Sequence, residues 1–314
     1  MTEGTAARHR PGAGGPDGVV LLDKPIGLSS NRALQRVRRL FGARKAGHTG
    51  SLDPLASGLL PICLGNATRF SGYLLDAPKA YRASGRLGER TATGDTEGEV
   101  VERCDWEQLD RAGFERALAR FRGAIEQVPP MYSALKQGGE PLYRKARRGE
   151  EVERKARPVE IHELELKAWQ PPAFELELRC SKGTYVRTLV EDIARAAGSC
   201  AHLTALRRLA AGPFTADEMH SLASLEAMAA DGPGRLGEVL LPADSALAGL
   251  PEMALDAADA RRLVSGQAVS LAVGHPESVA GPVRLYGPDG FLGIGAPCAD
   301  GTLKVRRLMP VDNA

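Results

Sequence analysis

At 314 residues the chain is long enough to bury a substantial core and to hold one large domain or two. Its 43% hydrophobic and 25% charged residues are typical of a soluble globular protein, and its 5% of aromatic residues disfavours a single-strand binder lined with aromatic rings. The formal net charge of +2 does not by itself indicate a partner, so the distribution of charge has to be read along the chain.

The cysteines are scattered and odd in number, and none forms a C-x-x-C pair: Cys63, Cys104, Cys180, Cys200 and Cys298. We therefore expect neither a disulfide framework nor a zinc site, and a reducing, cytoplasmic setting fits best. No apolar run approaches the roughly 20 residues that span a bilayer. Residues 1–16 have no apolar signal core and are interpreted as a disordered leader.

The N-terminal part begins with an apolar strand over residues 18–23. Ser29 or Ser30 then caps a helix that Gly42 closes. The polar face of this helix carries several arginines, and no acid interrupts the basic series between Asp23 and Asp53. A solvated surface is the ordinary interpretation of such a face, but the uninterrupted charge favours an anionic partner.

Residues 47–69, GHTGSLDPLASGLLPICLGNATR, place Asp53 among three glycines and directly before Pro54. The apolar run 59–64 that follows is typical of a buried strand. Asp53 thus lies on a tight loop backed by core, where a single reactive carboxylate would be held rigidly. An ordinary turn aspartate is the alternative, and local spacing alone favours it.

The middle of the chain predicts a helix over 67–75, a strand over 80–87 that contains Tyr81, and a helix over 106–121. The segment 131–157 carries eight Lys or Arg against four Glu. Bounded by prolines and interrupted by Gly138-Gly139, it is interpreted as a protruding, mobile, basic segment that contacts a nucleic acid backbone; a plain charged hairpin remains an alternative.

The remaining elements are an alternating strand over 174–180, a helix from about 184 to 198, and an apolar patch over 201–209 beside Arg207-Arg208. Tyr185 and Arg187 lie at a strand-to-helix junction, where site residues are common. A change to Gly, Pro, Ala and Leu over 234–251 indicates a domain boundary. The last 65 or so residues predict a small α+β module with a hairpin turn at 286–291.

The stretch 47–69 closely resembles the catalytic motif of the bacterial tRNA pseudouridine-55 synthase (TruB) family. Further segments resemble the same family in order: LLDKPIGLSS, KAYRASGRLG, PPMYSALKQGGEPLYRKARRGEEVERKARPVEIH, CSKGTYVRTLVEDIA and AHLTALRRLAAGPF. The resemblance covers residues 17–220, and the last 65 residues resemble, more weakly, a PUA-type RNA-binding module. It implies an α+β pseudouridine synthase fold, with a largely antiparallel mixed sheet, flanking helices and a basic RNA-gripping insertion at about 129–158. It also implies a catalytic domain over 17–245 and a PUA-like domain over 250–314.

The resemblance implies that Asp53 is the nucleophile and that Arg187 is the cation that keeps it ionised. Tyr81 matches the tyrosine that stacks on the target base, while Tyr185 and Leu206 match residues that line the uracil pocket. His48 matches the histidine that replaces or stacks beside the displaced base, and Lys24 supports the pocket wall. The RNA backbone is expected to meet a further set: Arg144, Lys145, Arg147, Arg148, Arg207 and Arg208.

The implied reaction isomerises uridine 55 of the tRNA T-loop to pseudouridine and needs no metal, nucleotide or flavin; the sequence carries no P-loop and no metal-ligand spacing. Covalent attack by Asp53 and a glycal route both remain open. The expected partner is the T-arm stem-loop, bound by a monomer without a protein partner or a membrane. The rivals are a guide-RNA-dependent synthase, a non-catalytic tRNA-binding or folding protein, and an Asp-nucleophile hydrolase, for which no further carboxylate lies within 20 residues of Asp53 on either side.

Overall fold

The structure, a computed structural model, describes residues 15–270 and 281–310. The predicted leader therefore lies almost wholly outside the described residues. The strands are β1 Gly18–Lys24, β2 Ala46–His48, β3 Ser57–Leu64, β4 Lys79–Leu87, β5 Glu89–Thr91, β6 Val100–Arg103, β7 Gly123–Gln127, β8 Lys136–Gln137, β9 Glu140–Pro141, β10 Arg157–Gln170, β11 Ala173–Cys180, β12 Ala201–Ala211, β13 Phe214–Thr215, β14 His220–Ser221, β15 Glu252–Ala254, β16 Val269–Ser270, β17 Val283–Gly287, β18 Gly290–Pro297 and β19 Thr302–Leu308.

The helices pack on these strands. They are α1 Ser30–Leu40, α2 Ser71–Asp76, α3 Arg111–Ala119, α4 Leu142–Arg147, α5 Val186–Ala196, α6 Leu222–Ala230, α7 Pro233–Gly237 and α8 Ala257–Val264, with 3-10 turns at Gly65–Arg69, Ala216–Glu218 and Ala243–Leu247. Among the described residues, no helix is both long and apolar enough to cross a membrane.

One large sheet carries the fold, in the order β14-β1-β3-β12-β4-β11-β10-β7, with β2 beside β3 and β13 beside β12. Its pairs are antiparallel except for β1 with β14 and β3 with β12. The mixed, largely antiparallel sheet expected from the sequence is therefore confirmed. Strands β3, β12 and β4 lie side by side at its centre, which brings the Asp53 loop before β3 close to the residues of the other two strands.

Helices α1 and α6 pack with β1 and β3 in one apolar cluster, and α3 and α5 pack with β4, β10, β11 and β12 in another. Helix α5 places Val186, Leu189, Val190 and Ile193 in the interior. Because its buried face is fixed, the direction of the side chains at its first turn is fixed as well. This matters for Arg187, the second residue of the helix.

The residues 252–310 that are described form a separate five-stranded sheet, in the order β15-β17-β18-β19-β16, packed with α8. Phe291 of this sheet meets Phe70 edge-on, with ring centroids 5.3 Å apart. The Tyr286 hydroxyl donates to Asp244 across the same junction. The predicted hairpin turn at 286–291 is the β17–β18 turn.

Several local predictions were wrong. The helix expected over 106–121 is only α3, because the Asp110 carboxylate caps it by accepting from Gly113 N at 2.7 Å. The helix expected over 67–75 is a 3-10 turn followed by the short α2. The apolar patch 201–209, for which no helix or strand was predicted, is part of strand β12. Finally, Cys104 and Cys200 form a disulfide across 96 residues, although no spacing suggested one.

Candidate active site

The loop that carries Asp53 joins β2 to β3 and is anchored by hydrogen bonds. Ser30, at the first turn of α1, accepts from Leu52 N at 2.7 Å and donates to Leu52 O at 2.9 Å through its hydroxyl. Gly27 N donates to Pro54 O at 2.8 Å. The backbone on either side of Asp53 is therefore held by groups from the β1–α1 region, and the carboxylate is presented from a fixed loop.

Arg187 meets Asp53 directly. Its Nη2 lies 3.0 Å from Asp53 Oδ2, and the arginine side chain is only 7% exposed. The guanidinium also donates to Thr93 O at 2.7 Å and to Tyr132 O at 2.8 Å. A buried guanidinium with this many acceptors has little freedom to rotate, so it fixes the carboxylate as well as attracting it.

Burial raises the pKa of Asp53, and the Arg187 guanidinium beside it works against that rise. From the sequence we expected the Arg187 charge to set the pKa of Asp53, but in the structure desolvation of the carboxylate has the larger effect on that pKa. The Asp53 side chain nevertheless remains 45% exposed. The carboxylate is therefore accessible from the surface.

A second carboxylate, Asp95, joins the Asp53–Arg187 pair and was not predicted from the sequence. Its Oδ2 lies 3.6 Å from Arg187 Nη1, whereas Asp53 is met by Nη2, and the Asp95 side chain is only 4% exposed. Thr93 Oγ1 donates to Asp95 Oδ1 at 2.5 Å, and Glu97 N donates to the same oxygen at 3.0 Å. Residues 91–99, TATGDTEGE, are mostly polar, and nothing in this stretch alone shows that Asp95 meets Arg187 at the start of α5.

Tyr81 and Leu206 lie on neighbouring strands at the centre of the sheet. Leu206 is paired with Ala83, two residues along β4 from Tyr81. Burial raises the pKa of Tyr81, and the Arg208 guanidinium opposes that rise. The strand register thus places Tyr81 and Leu206 near each other on neighbouring strands.

Tyr185 immediately precedes α5 and is clamped by a residue the sequence did not single out. The Gln127 amide donates to Tyr185 O at 3.1 Å and accepts from Tyr185 N at 2.7 Å. Gln127 itself is 2% exposed. A buried amide that satisfies both backbone groups of one residue fixes the junction from which Tyr185 and Arg187 project.

His48 directly precedes the Asp53 loop, and Lys24 ends β1, the strand that pairs with β3 after the loop. His48 ends β2, and burial together with the Arg208 charge lowers its pKa. The Lys24 side chain is fully buried, and its Nζ donates to Pro25 O at 2.8 Å and to Leu28 O at 2.7 Å. Burial lowers the pKa of Lys24 to about 8, against the attraction of Asp53. The Lys24 ammonium is therefore held in the interior by two carbonyl oxygens and does not reach the surface.

The residues predicted to meet the RNA backbone divide into three groups. Arg144 and Arg147 are exposed on α4, with Lys145 partly so, and Leu142 anchors this helix in the interior. Arg148 is exposed but already paired with Glu140 and Glu150, both at 2.7 Å. Three of these four side chains thus reach the surface without an ion pair among the described residues, whereas Arg148 is paired.

The second and third groups are Arg207 and Arg208. Arg207 is 39% exposed and pairs with Asp23 at 2.8 Å. Arg208 is 1% exposed. Its prediction as an RNA-backbone contact is wrong, because successive residues of a strand point to opposite faces and β12 sends this one into the interior.

A cavity of about 510 Å³ lies next to the site, on the outer face of α5. Arg187, Thr93 and Glu191 are part of its wall, whereas Asp53 is not. Burial raises the pKa of Glu191 to about 7, against the nearby arginines. The Asp53 carboxylate itself opens to the surface rather than into this cavity.

Known proteins resemble the chain along nearly its whole length. A protein from Chromohalobacter salexigens named tRNA pseudouridine synthase B is 53% identical, over 93% of this chain and 94% of the relative. The chain belongs to the TruB family of pseudouridylate synthases. Relatives of the same name from Sodalis glossinidius and Pseudomonas aeruginosa are 52% and 51% identical, each over 93% of this chain and 95% of the relative.

Family models divide the TruB chain into three consecutive matches. "TruB family pseudouridylate synthase (N terminal domain)" matches residues 38–186, "tRNA pseudouridylate synthase B C-terminal domain" matches 187–248, and "Pseudouridine synthase II TruB, C-terminal" matches 251–309. The boundary of the first two falls at Arg187, so the Asp53–Arg187 contact joins them.

Solved structures share the fold at low identity. One titled an H/ACA RNP bound to a substrate RNA containing 2'-deoxyuridine has a TM-score of 0.71 and 20% identity, covering 94% of this chain and 86% of the other. A Cbf5-Nop10-Gar1 complex also has a TM-score of 0.71, with 23% identity and coverage of 93% and 85%. At these identities the likeness shows the pseudouridine synthase fold alone.

Proposed function

We propose that this chain converts uridine 55 of the tRNA T-loop to pseudouridine, with Asp53 as the nucleophile. The observation that carries the proposal is the contact of Asp53 with the buried Arg187, 3.0 Å apart, in a chain of the TruB family. A fixed cation favours an ionised carboxylate, which either the covalent or the glycal route requires. Tyr81 on β4 supplies the aromatic surface against which a flipped uracil stacks.

The reaction is redox-neutral. The N1–C1′ bond breaks, the uracil turns, C5 bonds to C1′, the proton on C5 leaves to solvent, and N1 takes up a proton, so that atoms and charge balance. The RNA supplies the uracil, a protein side chain supplies the nucleophile, and water or a side chain accepts the proton. The reaction therefore needs no cofactor. Asp53 acts as a nucleophile towards the ribose or ring, or assists removal of the C2′ proton.

A uridine inside a folded T-loop cannot contact Asp53 while it remains stacked, so it must be flipped out at a cost of a few kcal/mol. Phosphate contacts from the exposed arginines of α4 and from Arg207 offset that cost. Recognition is then mainly of the shape of the T-arm, as is common for structured RNA. His48, Tyr185 and Leu206 enclose the flipped nucleotide.

We further propose that residues 17–245 act as the catalytic domain, residues 250–314 as a PUA-like RNA-binding domain, and that the chain works as a monomer. The solved structures with the same fold include complexes with partner proteins. The relatives near 50% identity are named as tRNA-modifying enzymes, and this favours a tRNA substrate over a guide RNA. The exposed basic surface of α4 supports direct binding of tRNA by this chain.

The experiment is a site-resolved assay. Unmodified tRNA is incubated with the protein, and pseudouridine is mapped by carbodiimide-stop sequencing; a stop at position 55 is expected. A tRNA with cytidine at that position is the substrate control. Asp53→Asn should abolish the stop while RNA affinity is retained.

Two results would contradict the proposal. Turnover by Asp53→Asn would show that Asp53 is not the nucleophile. Pseudouridine elsewhere in the tRNA, with position 55 untouched, would show that the target is wrong.

A further inference from the structure

The largest fully buried side chain among the described residues is that of Arg208, on β12. Its Nε donates to Leu59 O at 2.6 Å, and its Nη2 donates to Gly50 O at 3.1 Å. Leu59 lies in β3, and Gly50 opens the loop that carries Asp53. The guanidinium therefore ties this loop to the strand that follows it.

Arg208 also faces Tyr81. The two residues are register partners in the antiparallel pair of β12 with β4, and on its other side Arg208 is paired with Gly58 of β3. The guanidinium works against the burial that raises the pKa of Tyr81. One interior cation is thus hydrogen-bonded to the Asp53 loop, and its charge acts on the phenol of Tyr81, its register partner.

The partners of Arg208 set it apart from an ordinary structural cation. Lys79 lies in the same interior at 6% exposure and also interacts with the Arg208 charge. Its Nζ donates to Leu74 O, Leu75 O and Ala77 O, which close the end of α2. Lys79 therefore stabilises a short helix, whereas Arg208 is bonded to the segment that positions the nucleophile.

We propose that Arg208 is a positioning residue for the isomerisation. Its hydrogen bond to Gly50 O fixes the start of the Asp53 loop, and its hydrogen bond to Leu59 O ties that loop to β3. Its register position opposite Tyr81 on β4 holds the phenol, so that carboxylate and phenol are directed towards the same flipped uracil. This inference rests on the proposed function and concerns a residue that does not touch the RNA. It assigns Arg208 to the rate of the bound complex and not to binding.

The test compares Arg208→Met and Arg208→Lys with the control Lys79→Met. Tritium release from tRNA carrying uridine labelled at C5 is followed under single-turnover conditions, with affinity for the same tRNA measured separately. Arg208→Met should lose about 100-fold in rate, the size expected when a reacting group shifts by about 1 Å, with unchanged affinity. Arg208→Lys should recover part of the loss, because an ammonium restores the charge but not the two-pronged geometry.

Lys79→Met should unfold at a lower temperature yet retain the rate of the unaltered chain. A second readout separates positioning from stability. In Arg208→Met the pKa of Tyr81 should move upward, measured by spectral titration against Arg208→Met carrying Tyr81→Phe. A purely structural arginine would lower the melting temperature without this shift.

Four results decide the matter. A full rate with folded Arg208→Met would overturn the inference, as would a loss of affinity at full rate, which would make Arg208 an RNA contact. If Arg208→Met fails to fold, the rate of Arg208→Lys decides, and a full rate there overturns the inference. If the unaltered chain forms no pseudouridine, it is the proposed function that fails.

Discussion

Gly58 provides the most direct test of how tightly β3 and β12 approach each other behind the site. Its φ is +98°, and a Cβ placed on it would lie 2.4 Å from Arg208 O and 2.7 Å from Arg208 N. Both atoms belong to the backbone of β12, so no side-chain rotation can relieve the contact. Gly58→Ala must therefore move the strands apart.

The expected loss of unfolding free energy in Gly58→Ala has two parts, one from the backbone conformation and one from the steric contact. A non-glycine residue with positive φ costs about 1–2 kcal/mol, and an overpacked interior costs about a further 1–3 kcal/mol. We expect Gly58→Ala to lower the free energy of unfolding by about 2–5 kcal/mol, a large share of the stability of an ordinary domain. Gly198→Ala is the matched control, because Gly198 has a φ of +86° but nothing within 4 Å of its added Cβ.

Urea denaturation of the two variants isolates the contact. Gly198→Ala should lose only the conformational part, about 1–2 kcal/mol. Gly58→Ala should also lose about 100-fold in the rate of bound tRNA, because Asp53 lies on the loop that leads into the displaced strand. If both variants lose the same stability and the Gly58→Ala rate is unchanged, the strands are not held in rigid contact here.

Arg187→Gln removes the charge that opposes the effect of burial on Asp53, so the pKa of Asp53 should rise further. Because the ionised form reacts, the acidic limb of the single-turnover pH profile should move to higher pH. An unmoved or lowered limb would contradict the pairing of Asp53 with Arg187. Cys104→Ser should lower the free energy of unfolding by about 2–4 kcal/mol under oxidising conditions. A reductant should lower the free energy of unfolding of the unaltered chain by a similar amount and leave that of the variant unchanged. Equal stability of all these forms would argue against the bond with Cys200. Arg144→Gln should reduce the salt dependence of tRNA binding. Arg148→Gln should reduce that salt dependence less, because two glutamates already pair with Arg148. A larger effect of Arg148→Gln than of Arg144→Gln would be inconsistent with these ion pairs.

What the sequence could predict was mainly local. Strand β1, the helix capped at Ser29, and the glycine-rich loop before β3 follow from apolar periodicity and turn residues. The loop alone favoured an ordinary turn aspartate. Family resemblance, not spacing, pointed to Arg187, which lies 134 positions from Asp53 but 3.0 Å from its carboxylate.

The wrong predictions and the residues that were not predicted share a cause: they depend on which distant segments of the chain meet in the folded structure. Arg207 and Arg208 were interpreted as one basic pair, but strand alternation leaves the first 39% exposed and the second 1% exposed. Asp95 and Gln127 are polar residues in unremarkable local patterns, and only the folded chain shows that they hold Arg187 and Tyr185. The Cys104–Cys200 bond likewise depends on two segments meeting in space.

The buried cations show that this interior is not arranged for stability alone. Lys24 and Arg208 are held by carbonyl oxygens, which satisfy hydrogen bonds without cancelling charge. The pKa of Lys24 is lowered to about 8, mainly by burial and further by Arg208. A lysine whose folded-state pKa is depressed costs stability below that pKa and ceases to do so as pH rises through the unfolded-state value. At neutral pH the fold therefore holds a desolvated cation at a cost in stability. Such a cost is expected beside a carboxylate like Asp53 that has to react, because sites arranged for chemistry commonly give up stability to hold charge in place.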